Sequence, residues 1–218
     1  MTEKTSQIKV LEALDWEPSV EAEQLSVTVD DNIVTPKGHV ASYYAKREAV
    51  RVTQAVSGVK AVVDELEVSL PLPSERKDED LVRAALDALA WNINVPKDAI
   101  KITVRQGHVT LEGEVEWHYQ RTAAEFGIQS LIGVRRLSNE IRIAPRVSGQ
   151  KVHDKIEAAL KRAAELDAKD IFVEVHGSIV TLKGKVHSFA ERQQAERAAW
   201  AAPGVTHVHD NLVLVASA

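Results

Sequence analysis

Six glycines in this chain fall into three pairs with a single spacing. Gly38 and Gly58, Gly113 and Gly133, and Gly184 and Gly204 each lie 20 residues apart. Each second glycine is followed by a valine (Val59, Val134, Val205), and an alanine sits eleven residues after each first one (Ala49, Ala124, Ala195). An offset of 75 superposes the first two segments and also aligns Leu14 with Leu89, Trp16 with Trp91 and Val20 with Val95. An offset of 71 superposes the second and third, with three residues missing near Leu166 and one gained near Ile179. Matched spacings of this kind mark a repeat architecture, and a repeat constrains the fold more than any composition can.

Hydrophobic periodicity then assigns the elements of one copy. A helix opens it, clearest at Asp80 to Trp91, where Leu81, Ala85, Leu86 and Leu89 form one stripe. A strand with strict alternation follows (Leu25, Val27, Val29; Ile100, Ile102, Val104; Ile171, Val173, Val175). Turns at Asp31-Asn32, Gln106-Gly107 and His176-Gly177 return the chain as a second strand. Its inward set is Val34, Pro36, Gly38, Val40 and the matching Val109, Leu111, Gly113, Val115 and Val180, Leu182, Gly184, Val186. A second helix runs up to the second glycine, placed for a left-handed C-terminal cap, and a third strand such as Leu137, Asn139, Ile141, Ile143 closes the copy.

The expected fold class is α+β: three tandem αββαβ modules, each a three-stranded mixed sheet with two helices on one face. Proline-containing spacers at Ser69 to Lys77 and Ala144 to Gly149 divide the chain into residues 1–73, 74–144 and 145–218. The first glycine of each pair is expected at either a tight helix-to-sheet contact (Gly38/Ala49, Gly113/Ala124, Gly184/Ala195) or a β-bulge.

Composition narrows the function. With 44% apolar and 27% charged residues the chain reads as globular, and the absence of cysteine removes disulfides and thiolate chemistry. Met1 to Glu17 holds no continuous apolar stretch, and no run approaches a membrane span. A cytoplasmic location is expected, with the periplasm as alternative if an export signal has been removed. The net charge of −5 disfavours nucleic acid as a partner. It is concentrated in the first copy, which has 7 Lys/Arg against 12 Asp/Glu.

The run Gly107-x-Val109-x-Leu111-x-Gly113-x-Val115, with Gly133-Val134 and then Asn139-Glu140-Ile141, resembles the BON domain, and it recurs in the other copies. Copy three carries an extra residue between Gly177 and Val180; copy one is divergent, with Asn32 for the first glycine and Pro36 for the leucine. The resemblance implies binding modules of envelope and stress proteins, proposed to attach to phospholipid membranes or other ligands, with no shared catalytic residues. It implies no cofactor.

Candidate contacts gather where the second strand meets the second helix. Tyr43 and Tyr44, Trp117 with His118 and Tyr119, and Phe189 supply aromatics beside Lys46 and Arg47, Arg121, and Arg192. Rings there could rest among lipid headgroups while the cations meet phosphate; the simpler reading is that they cap the core edge and the cations pair with Glu48, Glu125 and Glu191. Asp64, Asn139 and Asp210 share one inward-facing position and are expected to be hydrogen-bonded there. Trp16, Trp91 and Trp200 are expected in cores or between modules. A metal reading of His187, His207 and His209 stands against a solvated strand face. No nucleophile–base constellation or phosphate loop occurs. The leading expectation is a non-enzymatic, stress-type phospholipid-binding protein; the alternative is a protein–protein scaffold or homo-oligomer.

Overall fold

The structure, a computed structural model, describes residues 3–144, 171–202 and 204–215. In the first copy helix α1 (Glu3–Asp15) precedes strands β1 (Leu25–Asp30) and β2 (Ile33–Val40), helix α2 (Tyr43–Ala55), and strands β3 (Ala61–Val62) and β4 (Glu65–Val68). The second has α3 (Asp78–Ala90), β5 (Ile100–Arg105), β6 (His108–Val115), α4 (His118–Gln129) and β7 (Arg136–Ile143). The third has β8 (Ile171–His176), β9 (Ile179–Val186), α5 (Phe189–Trp200) and β10 (His207–Leu214). The opening helix expected for copy three, and the residues missing near Leu166, lie outside the described residues.

Each sheet is mixed, with the second strand in the middle. In copy one β1 pairs antiparallel with β2, which pairs parallel with β3 and β4; in copy three β8 and β10 flank β9 in the same senses. This follows from the connections: a two-residue turn gives an antiparallel neighbour, whereas a helical crossover returns the next strand parallel. Helices α1 and α3 bury every fourth residue, Ser6, Val10 and Leu14 matching Leu81, Ala85 and Leu89. Leu86, expected in that stripe, is exposed instead. The central strands bury Val34 and Val40, Val109, Leu111 and Val115, and Val180, Leu182 and Val186 against Ala49, Ala124 and Ala195, the alanines themselves fully buried. Spatially the chain groups into two compact units, one made of Met1–Val95, Lys101–Glu112 and Ala123–Glu140, the other of Pro96–Ile100, Gly113–Thr122 and Ile141–Ala218.

The same backbone hydrogen bonds recur in all three copies. Lys60, Arg135 and Thr206 donate to the hairpin turns at Asn32, Gly107 and Ser178, and Ser69, Ala144 and Val215 donate to the ends of the central strands at Val40, Val115 and Val186. Val59, Val134 and Val205 each close the turn after the second helix by donating to the residue three before. The glycines preceding them have φ of +93°, +101° and +85°, the positive region expected there, although they lie in the turn beyond the helix end.

Three expectations need correction. Gly38 and Gly184 form no bulge, since Leu25 to Asp30 pair with Gly38 to Ile33, and Ile171 to His176 with Gly184 to Ile179, without a skipped residue. Gly38 and Gly113 have φ of +138° and +143°, and a Cβ on them would lie 2.2 Å from the Gln24 carbonyl oxygen and 2.1 Å from that of Ala99. The close approach is backbone to backbone, at the entrance to the first strand. Second, copy three gains no residue near Ile179: β8, β9, α5 and β10 all lie 71 positions beyond β5, β6, α4 and β7. Its glycine has instead moved within the turn, which occupies Gly177-Ser178. Asp31, Asn32, Gln106 and Gly107 all have positive φ, as a type I′ turn requires, whereas in copy three Gly177 alone does, as in type II′. Third, the last strand of copy one is interrupted at Val63 and Asp64. Val63 donates to the Val34 carbonyl at 2.9 Å, and in a parallel ladder its own carbonyl would accept from residue 36. Pro36 has no N–H to give. Where Leu111 and Leu182 stand instead, β7 and β10 run unbroken.

The glycine requirement can be measured. Gly113→Ala combines positive φ with overlap on a backbone carbonyl and should cost about 3 kcal/mol or more in urea unfolding. Gly177→Ala has only the φ penalty, nothing lying within 4 Å of the added carbon, and should cost about 1–2 kcal/mol. Equal costs would refute the close-approach explanation.

Candidate functional site

The junction between central strand and second helix begins with an N-cap. Ser42 and Ser188 accept from Ala45 N and Glu191 N at 3.0 and 3.1 Å, satisfying donors that the first helical turn leaves open. Copy two has Trp117 at this place and caps differently: Gln120 Oε1 accepts from both Glu116 N and Trp117 N at 3.0 Å. Glu191 reaches back in the same way to His187 N at 2.8 Å. In copy two the third helical N–H, of Gln120, has no serine to meet and donates to the Trp117 carbonyl at 3.1 Å.

The candidate contacts behind this cap divide sharply. Tyr43 is buried, and that burial pushes its phenol up, with the Arg47 guanidinium working the other way. It is a core residue, not a surface contact. Phe189 is half-buried. Tyr44, Trp117 and Tyr119 are exposed by 37%, 36% and 54%. Lys46 Nζ pairs with Asp64 Oδ2 at 3.0 Å and donates to the Leu66 carbonyl at 2.6 Å. At the matching place in copy three Arg192 Nε bonds Asp210 Oδ2, so its partner is Asp210 and not Glu191. The other oxygens, Asp64 Oδ1 and Asp210 Oδ1, accept from Leu66 N and Leu212 N at 3.0 Å each. Both carboxylates are thus satisfied by a helix cation and the strand backbone together; Asp64, expected inward, is exposed, and the more enclosed Asp210 is tolerated because it is paired. In copy two Asn139 Nδ2 donates to Glu125 Oε2 at 3.0 Å, Glu125 also meets Arg47 at 3.4 Å, and Arg121 is half-buried. Arg51, rather than Arg47, pairs with Glu48, and it also reaches Glu17.

The histidines do not assemble. His187 Nδ1 lies 3.6 Å from Glu191 and His207 Nδ1 contacts Thr206 Oγ1 at 3.1 Å. Among the described residues no group of three His, Cys, Asp or Glu is placed to hold a metal. Trp16 and Trp91, expected in cores or between modules, stand 86% and 89% exposed at the ends of α1 and α3, next to Ile93 at 98%. The apolar stripe of each opening helix is complete without them, ending at Leu14 and Leu89.

One cluster escaped the sequence reading. The rings of His118 and Trp200 stack with centroids 4.0 Å apart and planes 11° from parallel. Beside them lies an open groove of about 650 Å³, lined by Trp117, His118, Tyr119, Arg197, Trp200 and Ala201. A signal for it existed in the repeat: Trp117 replaces Ser42 and Ser188, and Trp200 replaces Gln54 and Gln129. Both aromatics stand where the copies disagree.

The repeated ion pair predicts a measurable coupling. Asp210→Ala should lower stability by about 1–3 kcal/mol, and the double-mutant cycle with Arg192→Ala should return a coupling of about 1 kcal/mol. A cycle that closes to zero would show that the pair is incidental.

The family comparison agrees with this architecture. The BON domain family model matches residues 4–69, 77–145 and 149–216. Osmotically-inducible protein Y of Escherichia coli (strain K12) is 29% identical over 138 residues, covering 62% of this chain and 69% of that protein. Among solved structures, CdsD, a structural protein of the type III secretion system of Chlamydia trachomatis, aligns over 96% of this chain and 92% of its own at 16% identity, with a TM-score of 0.28. The periplasmic domain of PrgH aligns over 88% of this chain and 95% of its own at 12% identity and a TM-score of 0.22. The family match covers all three copies, so the chain belongs to the BON domain family.

Proposed function

We propose that this protein is a non-enzymatic binding protein of the stress-response type whose modules meet phospholipid surfaces. The observation that carries the proposal is the set of exposed aromatic rings, Trp16, Tyr44, Trp91, Trp117 and Tyr119, which the cores do not use. Amphipathic rings of this kind settle at the headgroup level of a bilayer. The stress assignment is supported by the name of the Escherichia coli relative. No described helix is long and apolar enough to cross a membrane.

The committed charges shape the mode of contact. Lys46 and Arg192 are held by Asp64 and Asp210, and the net charge is −5. Polybasic attraction to anionic lipid is therefore weak, and ring insertion supplies the affinity. The protein should co-sediment with phosphatidylcholine vesicles as well as with phosphatidylglycerol vesicles, changing by less than about threefold between low and moderate salt. Trp16→Ala with Trp91→Ala should reduce the bound fraction. Protein that stays in the supernatant with both vesicles at both salt concentrations ends the proposal.

A second reading, a self-associating scaffold, is favoured by the exposure of Ile93, Phe126 and Ile132 in addition to Trp91. Large apolar side chains held in water are often a surface awaiting a partner. Under this reading light scattering shows a mass rising above 24.0 kDa with concentration; a constant monomer mass excludes self-association.

A further inference from the structure

The groove beside the His118–Trp200 stack differs in kind from the exposed aromatics. Trp16 and Trp91 project singly into solvent, whereas here three large aromatic side chains and an imidazole line one concavity of about 650 Å³. That volume is within the range of small-ligand sites, and the lining is mostly apolar, as such sites are. The stack gives the groove a rigid wall, because two nearly parallel rings at 4.0 Å restrict one another's rotamers.

The polar group set among these rings is Arg197. Its Nε donates to the Gln193 carbonyl at 3.3 Å, one turn back on α5, and no carboxylate pairs with its guanidinium among the described residues. The contrast within the repeat is direct: at the matching place in copy one Arg51 pairs with both Glu48 and Glu17. A guanidinium left open beside apolar rings suits an oxyanion carried on an apolar body, since the fork of donors takes carboxylate or phosphate oxygens in pairs.

We propose that this groove binds a small amphipathic anion, its carboxylate or phosphate oxygens on Arg197 and its apolar body against Trp117, Tyr119 and Trp200. The site goes beyond surface attachment: it takes a single dissolved molecule, and copies one and two have Gln54 and Gln129 at the position of Trp200.

Two probes separate the sources of such an anion. 2-Naphthoate represents a free carboxylate, and dihexanoylphosphatidylglycerol, kept below its micelle concentration, represents a lipid headgroup. Titration followed by tryptophan fluorescence and calorimetry on the full chain should show saturable binding of at least one of them. Its neutral or zwitterionic counterpart, 2-naphthamide or dihexanoylphosphatidylcholine, should bind about tenfold more weakly. Arg197→Gln should weaken the anion about tenfold and bring it level with the neutral compound, while Arg197→Lys retains part of the preference. Arg83→Gln, which removes an exposed cation paired only with Asp80, should leave binding unchanged. Thermal melts of the variants establish that they fold. The proposal is overturned if neither probe saturates, if the neutral compounds bind equally, or if Arg83→Gln weakens binding as much as Arg197→Gln. Vesicle co-sedimentation is read separately, so loss of the groove site and loss of the surface reading are distinguishable.

Discussion

Everything in a module turns on how closely the entrance of the first strand can approach the central one. At Gly38 and Gly113 the space a Cβ would take is occupied by a carbonyl oxygen of the residue leading into the first strand. With the strand pair closed at that end by glycine and at the other by a tight turn, the register between them is fixed over its full length. A fixed central strand then sets the third, which begins by donating to the hairpin turn and ends by donating to the last residue of the centre strand, identically in each copy. The second helix has one path between those points, and the glycine-valine turn after it places Val59, Val134 and Val205 in the core.

The partly buried charge follows from the same geometry. β10 carries Asp210 on its inner side by alternation from Leu212, and Asp64 stands at the matching place in the break of copy one's last strand. A cation one turn into the second helix, Lys46 or Arg192, is within reach, and the carboxylate's other oxygen holds the strand backbone two residues on. Cations that look in the sequence like surface contacts for phosphate are therefore parts of the helix-to-strand joint. The exposed rings Tyr44, Trp117 and Tyr119 take no part in that joint.

Much of this was legible from spacing. The order of elements, the hairpins and the inward sets follow from periods of 2 and about 3.6 residues, and the positive φ of Gly58, Gly133 and Gly204 follows from their place after a helix. The misreadings share a cause, which is that one sequence position does not reveal what lies across from it. The small residues Gly113 and Ala124 seemed to face one another because both are small; the glycine in fact faces a backbone oxygen. Trp16 and Trp91 seemed to be core because they are large and recur, but the stripes they follow are already filled by Leu14 and Leu89. The turn of copy three reads as an insertion when its glycine anchors the repeat, whereas the glycine has moved from the second turn position to the first. The interrupted strand opposite Pro36 could have been foreseen, since the proline was visible and its missing donor is certain.

The repeat also shows where to look for what distinguishes the copies. Positions at which all three agree are the ones the backbone demands: the paired glycines, the following valine, the buried alanine. Those at which one copy departs are released from that demand, and departures that fall together in space call for an explanation that folding does not supply. Replacing a capping serine with Trp117 removes a favourable N-cap; Gln120 N donates to the Trp117 carbonyl instead, while Gln120 Oε1 accepts from Glu116 N and Trp117 N just ahead of the helix. Placing Trp200 where the other copies have glutamine would expose an indole, were it not stacked on His118. Each change is compensated separately, yet both line the same groove with Arg197. Their meeting in one concavity sets this groove apart from the repeated frame, whose shared positions are accounted for by the backbone.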